Sequence, residues 1–131
     1  DNHGFVHCLD GDIGLPLWRY PVGSPVDACI VLPGDRLLIT THKGDTACLS
    51  MTKSDRLVWT YPHSASYIGQ SADKVYLMRD DSTLCAVSAQ KGEELWTRKL
   101  PDDMKAVGGP GEGQFYLYTT DGDIIALSEA D

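Results

Sequence analysis

Three tryptophans set the frame of this 131-residue chain, and each ends the same short pattern: a turn residue, two variable positions, an aliphatic residue, then the indole. The copies are Gly14-Leu15-Pro16-Leu17-Trp18, Asp55-Arg56-Leu57-Val58-Trp59 and Gly92-Glu93-Glu94-Leu95-Trp96, spaced 41 and 37 residues apart at the tryptophan. A near-constant period of this length marks a repeat architecture, in which each unit buries its apolar face against the next.

A second column supports the period. Upstream of each tryptophan lies a short segment holding a small residue, an aliphatic residue and then an oxygen-bearing side chain. The first is Gly4-Phe5-Val6-His7-Cys8-Leu9-Asp10, and the second runs from Gly44 through Cys48 and Leu49 to Ser50. The third, from Ser82 to Ser88, carries Ala86, and the fourth, from Gly122 to Ser128, carries Ala126. The small residues Cys8, Cys48, Ala86 and Ala126 step by 40, 38 and 40. The fixed tail reads as a buried strand that ends in a side-chain-capped turn.

A third column precedes these: Leu37-Leu38-Ile39-Thr40, Val75-Tyr76-Leu77-Met78 and Phe115-Tyr116-Leu117-Tyr118. Such β-branched and aromatic runs predict buried strands. Turn signals stand before them at Pro33-Gly34-Asp35, Ser71-Ala72-Asp73 and Gly111-Glu112-Gly113. Earlier still come Val26 to Leu32, Tyr67 to Gln70 and Lys105 to Gly109, less regular short strands. One repeat therefore holds four strands, A to D, with the tryptophan on D. No stretch keeps a helical apolar stripe without a glycine, a proline or β-type alternation interrupting it.

A four-stranded repeat of about 40 residues has the size of a propeller blade. The order of the motifs, a Gly-led segment ending Ala-Leu-Asp followed by a Gly-led turn ending in Trp, resembles the quinoprotein-like (PQQ-type) β-propeller repeat. Lys43-Gly44 through Ser50 and Asp121-Gly122 through Ser128 match its first half, and Gly14 through Trp18 and Gly92 through Trp96 its second. Departures are mild: Asp55 and Ser82 replace turn glycines, and cysteine replaces alanine at positions 8 and 48. The WD40 propeller is the competing reading, but no Gly-His…Trp-Asp pair occurs. The resemblance implies an all-β propeller of four-stranded antiparallel blades. It also implies that Trp18, Trp59 and Trp96 dock each blade on its neighbour, supported by the turn positions Gly14, Gly44, Gly92 and Gly122. A large flat ring can fill the wedge between twisted sheets while its N–H reaches a backbone acceptor.

In this frame residues 1–20 supply half a blade, 24–61 and 64–100 a blade each, and 105–128 an incomplete one. About three blades are expected. Closed propellers carry four to eight, and pairing the two ends of one copy would supply strand C twice. The expectation is a stretch of a longer chain, or an assembly in which further blades or a second polypeptide complete the ring.

The net charge of −8 argues against a duplex nucleic-acid partner or an anionic membrane surface, which select basic faces. No apolar run approaches the roughly 20 residues that span a bilayer as a helix. Cys8, Cys29, Cys48 and Cys85 are even in number, but Cys8 and Cys48 hold equivalent places in successive blades, too far apart for the roughly 7 Å a disulfide allows. At Cys8 and Cys48 buried free thiols are expected, while Cys29, on a strand A, could reach another sheet position.

No catalytic constellation stands out. His3 and His7 lie about 13 Å apart on a strand, too far for one ion, and His42 and His63 have no partner motif. Asp10-Gly11-Asp12 and Asp121-Gly122-Asp123 lack the further acids of a calcium loop, and Asp80-Asp81 and Asp102-Asp103 read as solvated turns. No nucleophile elbow or phosphate loop occurs. Quinoprotein dehydrogenases resembling this repeat hold a calcium-bound quinone at the centre of a whole ring, often beside a vicinal Cys-Cys disulfide, and no Cys-Cys pair is present. The resemblance therefore implies a non-catalytic platform for protein partners, without cofactor or metal, similar to outer-membrane assembly scaffolds and sensor ectodomains. Periplasmic or secreted localisation follows from resemblance alone. The alternative is part of a PQQ-dependent oxidoreductase whose site lies in other blades.

Overall fold

The computed structural model describes residues 5–9, 11–79, 81–101, 104–108, 114–119 and 121–128. The expectations at His3, Gly4, Asp10, Asp80, Asp102, Asp103, Gly109 and Gly111-Glu112-Gly113 lie outside them. The described residues hold thirteen strands and no helix. The all-β propeller class read from the repeat is the fold observed, as antiparallel sheets of two to four strands.

Residues 1–64 form one compact unit and 65–131 another. In the first, β1 (Phe5–Leu9) pairs with β2 (Pro16–Pro21). There follows an antiparallel meander of β3 (Val26–Leu32), β4 (Arg36–Thr41), β5 (Thr46–Ser50) and β6 (Leu57–Tyr61). The second unit begins with the same meander in β7 (Ala65–Gln70), β8 (Lys74–Arg79), β9 (Thr83–Ser88) and β10 (Glu94–Lys99). It ends with β11 (Met104–Gly108), β12 (Gln114–Thr119) and β13 (Ile124–Ser128).

The two middle strands of each meander are the most deeply covered. Leu38 and Ile39 on β4, and Val75, Tyr76 and Leu77 on β8, are buried regardless of which way they point. Cover on both faces is why these strands read as unbroken apolar runs. The hydroxyls that enter the core find backbone acceptors. Thr40 Oγ1 donates to the Ala28 carbonyl at 3.5 Å, and Thr46 Oγ1 to that of His63 at 2.9 Å.

Turn chemistry recurs with the strands. Gly34 and Asp35 both have positive φ, 82° and 58°, the pairing that suits a tight hairpin between twisted strands. The Asp35 carbonyl accepts the Met51 N–H at 2.8 Å, and the Asp73 carbonyl accepts that of Ala89 at 2.9 Å, the same bond in two repeats. Ser50 Oγ accepts the N–H groups of Thr52 and Lys53, and Ser88 Oγ those of Gln90 and Lys91. These are the capped turns expected after the third strand.

A feature of the second unit carried no sequence signal. β7 and β11 approach backbone to backbone where Gly69 meets Gly108. A Cβ built on Gly108 would collide with the Ile68 carbonyl oxygen. The strand position has no side chain because another main chain occupies that space. Gly108→Ala should therefore cost about 2 kcal/mol or more, well beyond the intrinsic Gly-to-Ala preference, read as a lower urea midpoint. A variant with an unchanged midpoint would contradict the close approach.

Candidate functional site

The three tryptophan turns share one geometry. Trp18 stands across from Cys8, Trp59 from Cys48 and Trp96 from Ala86, so the small-residue column and the indole column are cross-strand partners. A β-bulge adjoins every one of these pairs. Leu9 pairs with Pro16, Leu49 with Leu57, and Val87 with Glu94, which leaves Leu17, Val58 and Leu95 as the extra residues. The aliphatic residue before each tryptophan is therefore the bulged one. A bulge kinks and twists its strand, re-aiming the next side chain, and the small partner opposite leaves room for the ring.

Trp18 packs with Tyr20 and Val22 against the buried cluster of Val6, Ile39 and Leu49, which joins β1–β2 to the β3–β6 sheet. The Arg56 guanidinium lies 4.1 Å from the Trp18 ring centroid. It also donates to the Ser50 carbonyl at 2.9 Å. Trp96 packs against two clusters that join the last two sheets, one of Tyr76, Ala86 and Phe115, the other of Leu84, Leu100 and Leu117. Within the first, Tyr76 and Phe115 meet edge to face at 4.6 Å. Trp59 is buried, at 6% exposure. The Arg56 contact was invisible in the sequence, because Arg56 occupies a variable place in the repeat.

The turn glycines divide by cause. Gly14, Gly92 and Gly122 have φ of 73°, 71° and 99°, where only glycine is unstrained. Gly44 has no such φ. A Cβ there would lie 3.1 Å from Ser24 Cβ, a tight contact that Ser24 would have to yield to. Asp55, read as the counterpart of Gly14, does not adopt positive φ. Its turn runs one residue longer between Ser50 and Trp59 than between Ser88 and Trp96, and the extra residue absorbs the reversal. Ser82, which stands where Gly122 does, keeps the left-handed conformation at φ 64°.

All four cysteines are free: Cys29 exposed, Cys8 partly covered, Cys48 and Cys85 buried. Cys85 Sγ donates to the Leu77 carbonyl at 3.4 Å. Desolvation pushes the Cys48 thiol up to about 11, against a smaller pull downward from Arg36. No His, Cys, Asp or Glu cluster able to hold a metal ion occurs among the described residues. His42 lies 3.7 Å from the Asp27 carboxylate on the surface, and His63 packs against the Tyr61 ring at 5.0 Å.

An open cleft of about 360 Å³ in the first unit is lined by Tyr20, Val22, Ser24, Thr41, Asp45 and Thr60, among others. Its Thr41 hydroxyl is already engaged, accepting from Gly44 N at 3.0 Å and donating to the Asp45 carbonyl at 3.2 Å. Apolar side chains stand in solvent instead on the β1–β2 hairpin, where Leu9, Ile13, Leu15 and Leu17 are all more than half exposed.

Residues 2–131 match the family model described as outer membrane protein assembly factor BamB. Among solved structures, BamB from Moraxella catarrhalis aligns with a TM-score of 0.63 at 22% identity, covering 97% of this chain and 45% of that one. The computationally designed Ika4 protein aligns with a TM-score of 0.77 at 13% identity, covering 98% of this chain and 82% of that one. At these identities the likeness is one of fold. The chain spans less than half the length of the Moraxella protein. No curated protein matches the chain significantly.

Two outcomes follow for stability. Trp59→Ala should cost about 3–5 kcal/mol in urea unfolding, and Trp18→Ala and Trp96→Ala about 2, because part of each of those rings already meets water. Equal, near-zero costs at all three would remove the packing role. Cys48 stays protonated in the folded chain above its ordinary value of 9.0, whereas the unfolded chain ionises there. The native state then binds more protons, and stability falls as pH rises from about 9 to about 11, by roughly 2 kcal/mol. Cys48→Ala should flatten that slope. An identical slope in the variant would contradict the desolvated thiol.

Proposed function

The chain belongs to the PQQ-like repeat family of outer membrane protein assembly factor BamB, and on that premise we propose that it is a non-catalytic propeller segment that docks proteins, within a larger protein or assembly of the cell envelope. Trp18, Trp59 and Trp96 act as the wedges that set each sheet against its neighbour, with Gly14, Gly44, Gly92 and Gly122 shaping the turns that aim them. The platform is rigid because these contacts lie inside it, and the binding groups are therefore those its turns and edges present.

The observation that carries this reading is the apolar tip of the β1–β2 hairpin, with Ile13 67% and Leu15 59% exposed. Clustered apolar side chains in solvent suit a protein contact better than a small polar substrate. The compartment that fits the family is the periplasmic face of the outer membrane, and the fitting partners are components that assemble outer-membrane proteins.

Deleting the intact gene should lower the outer-membrane protein content of the cell, and Ile13→Ser with Leu15→Ser should reproduce part of that loss without lowering the stability of the purified protein. Unchanged outer-membrane proteins, together with dye reduction by the intact protein on adding PQQ and calcium, would favour the oxidoreductase reading instead.

A further inference from the structure

The same face of the two four-stranded meanders is filled in different ways. Leu77 and Thr97 flank Cys85 in the second as Ile39 and Thr60 flank Ala47 in the first, so the two faces correspond residue by residue. Two places beyond Leu77 stands Arg79, and two beyond Ile39 stands Thr41. The Arg79 side chain crosses β9 to reach β10. Its Nη1 donates to the Glu94 carboxylate at 3.5 Å, and its Nε lies 3.6 Å from that of Asp81. A guanidinium therefore covers this face in the second meander, and the Arg79 side chain is only 20% exposed. In the first, the short Thr41 side chain is engaged within its own turn, with Gly44 N and the Asp45 carbonyl. There the open cleft of about 360 Å³ lies, between Tyr20 on one side and Ala47, Leu57 and Thr60 on the other. Every described residue that lines it falls between Tyr20 and Thr60.

We propose that this cleft receives an arginine side chain of a partner polypeptide, whose guanidinium stacks on the Tyr20 ring and pairs with the Asp45 carboxylate. A second observation points to the same ligand. Trp18, two residues before Tyr20 on β2, packs with it against one buried cluster, and the Trp18 ring already carries a guanidinium, that of Arg56 at 4.1 Å. A planar, weakly hydrated cation suits such an aromatic face better than an ammonium group does. Asp45 supplies the charge: it is exposed, and it is the one ionic side chain among the described lining residues. The acid has changed place between the repeats. Lys43 and Leu57 stand where Asp81 and Glu94 do, and Asp45 stands where Thr83 does. Leu57 thus gives the methylene stem of an arginine an apolar wall, and the carboxylate sits at the turn, open to a cation arriving from solvent.

The polypeptide source of the arginine rests on the platform reading, whereas recognition of the side chain is measured on the purified full chain. The probe is the capped tripeptide acetyl-Gly-Arg-Gly-amide, titrated into isotopically labelled protein while backbone amide shifts are read residue by residue. Shifts should saturate and should centre on Gly23, Ser24, Gly44 and Asp45. The citrulline tripeptide, which keeps the planar shape and loses the charge, should bind about tenfold more weakly. The lysine tripeptide should also bind more weakly, because an ammonium group cannot stack. Asp45→Asn should weaken the arginine peptide by about fivefold, as one exposed ion pair allows, without moving the urea midpoint. Tyr20→Leu should weaken it as well and should abolish the preference for arginine over lysine.

No saturable shift, shifts centred away from the cleft, or equal binding of the citrulline or lysine peptide would overturn the proposal. Free arginine binding more tightly than the capped peptide would assign the cleft to the amino acid and overturn the polypeptide ligand. Loss of outer-membrane proteins on gene deletion, with no binding of the arginine peptide, would remove this ligand and leave the platform reading standing.

Discussion

The fold depends on a pairing between the largest side chain in the repeat and one of the smallest. An indole cannot lie flat on a sheet between bulky neighbours, so each tryptophan is set across from alanine or cysteine. The extra residue before it bends the strand and turns the ring. Trp18 and Trp96 then reach apolar clusters fed by two adjoining sheets, around Ile39 and Leu49 in one unit and around Phe115 and Leu117 in the other. Four-stranded sheets with polar turns would not by themselves select a stacking partner. A ring, a bulge and a small residue in fixed register do.

Why the architecture was legible in sequence follows from that arrangement. A position that must be tryptophan, and another that must be small, leave a period that survives variation between them. The deepest strands were legible for a different reason: cover on both faces forces runs such as Val75-Tyr76-Leu77. The serine caps at Ser50 and Ser88 were visible because their oxygen is needed by the backbone that follows. What escaped was whatever depends on contact between distant segments. Gly108 looks like any strand-end glycine until β7 is set against it. Arg56 gives no hint that its guanidinium covers Trp18. The exchange of a left-handed glycine for a longer turn at Asp55 left only a one-residue change in spacing.

The groups that could act on other molecules lie where the repeat exerts least control. The Thr40 and Thr46 hydroxyls and the Cys85 thiol are committed to backbone acceptors, and the Cys48 thiol is held protonated by desolvation. What faces outward is apolar side chains on the β1–β2 hairpin, suited to contact with polypeptide. Such a site is hard to read from sequence because the residues that make it are ordinary blade residues.

Acrylamide quenching of tryptophan emission tests the central packing claim most directly, because Trp18, Trp59 and Trp96 are the only tryptophans in the chain. Rings wedged between sheets should quench weakly in the native chain and become freely accessible only through the cooperative unfolding transition. Native emission that quenches as readily as the unfolded chain would contradict it.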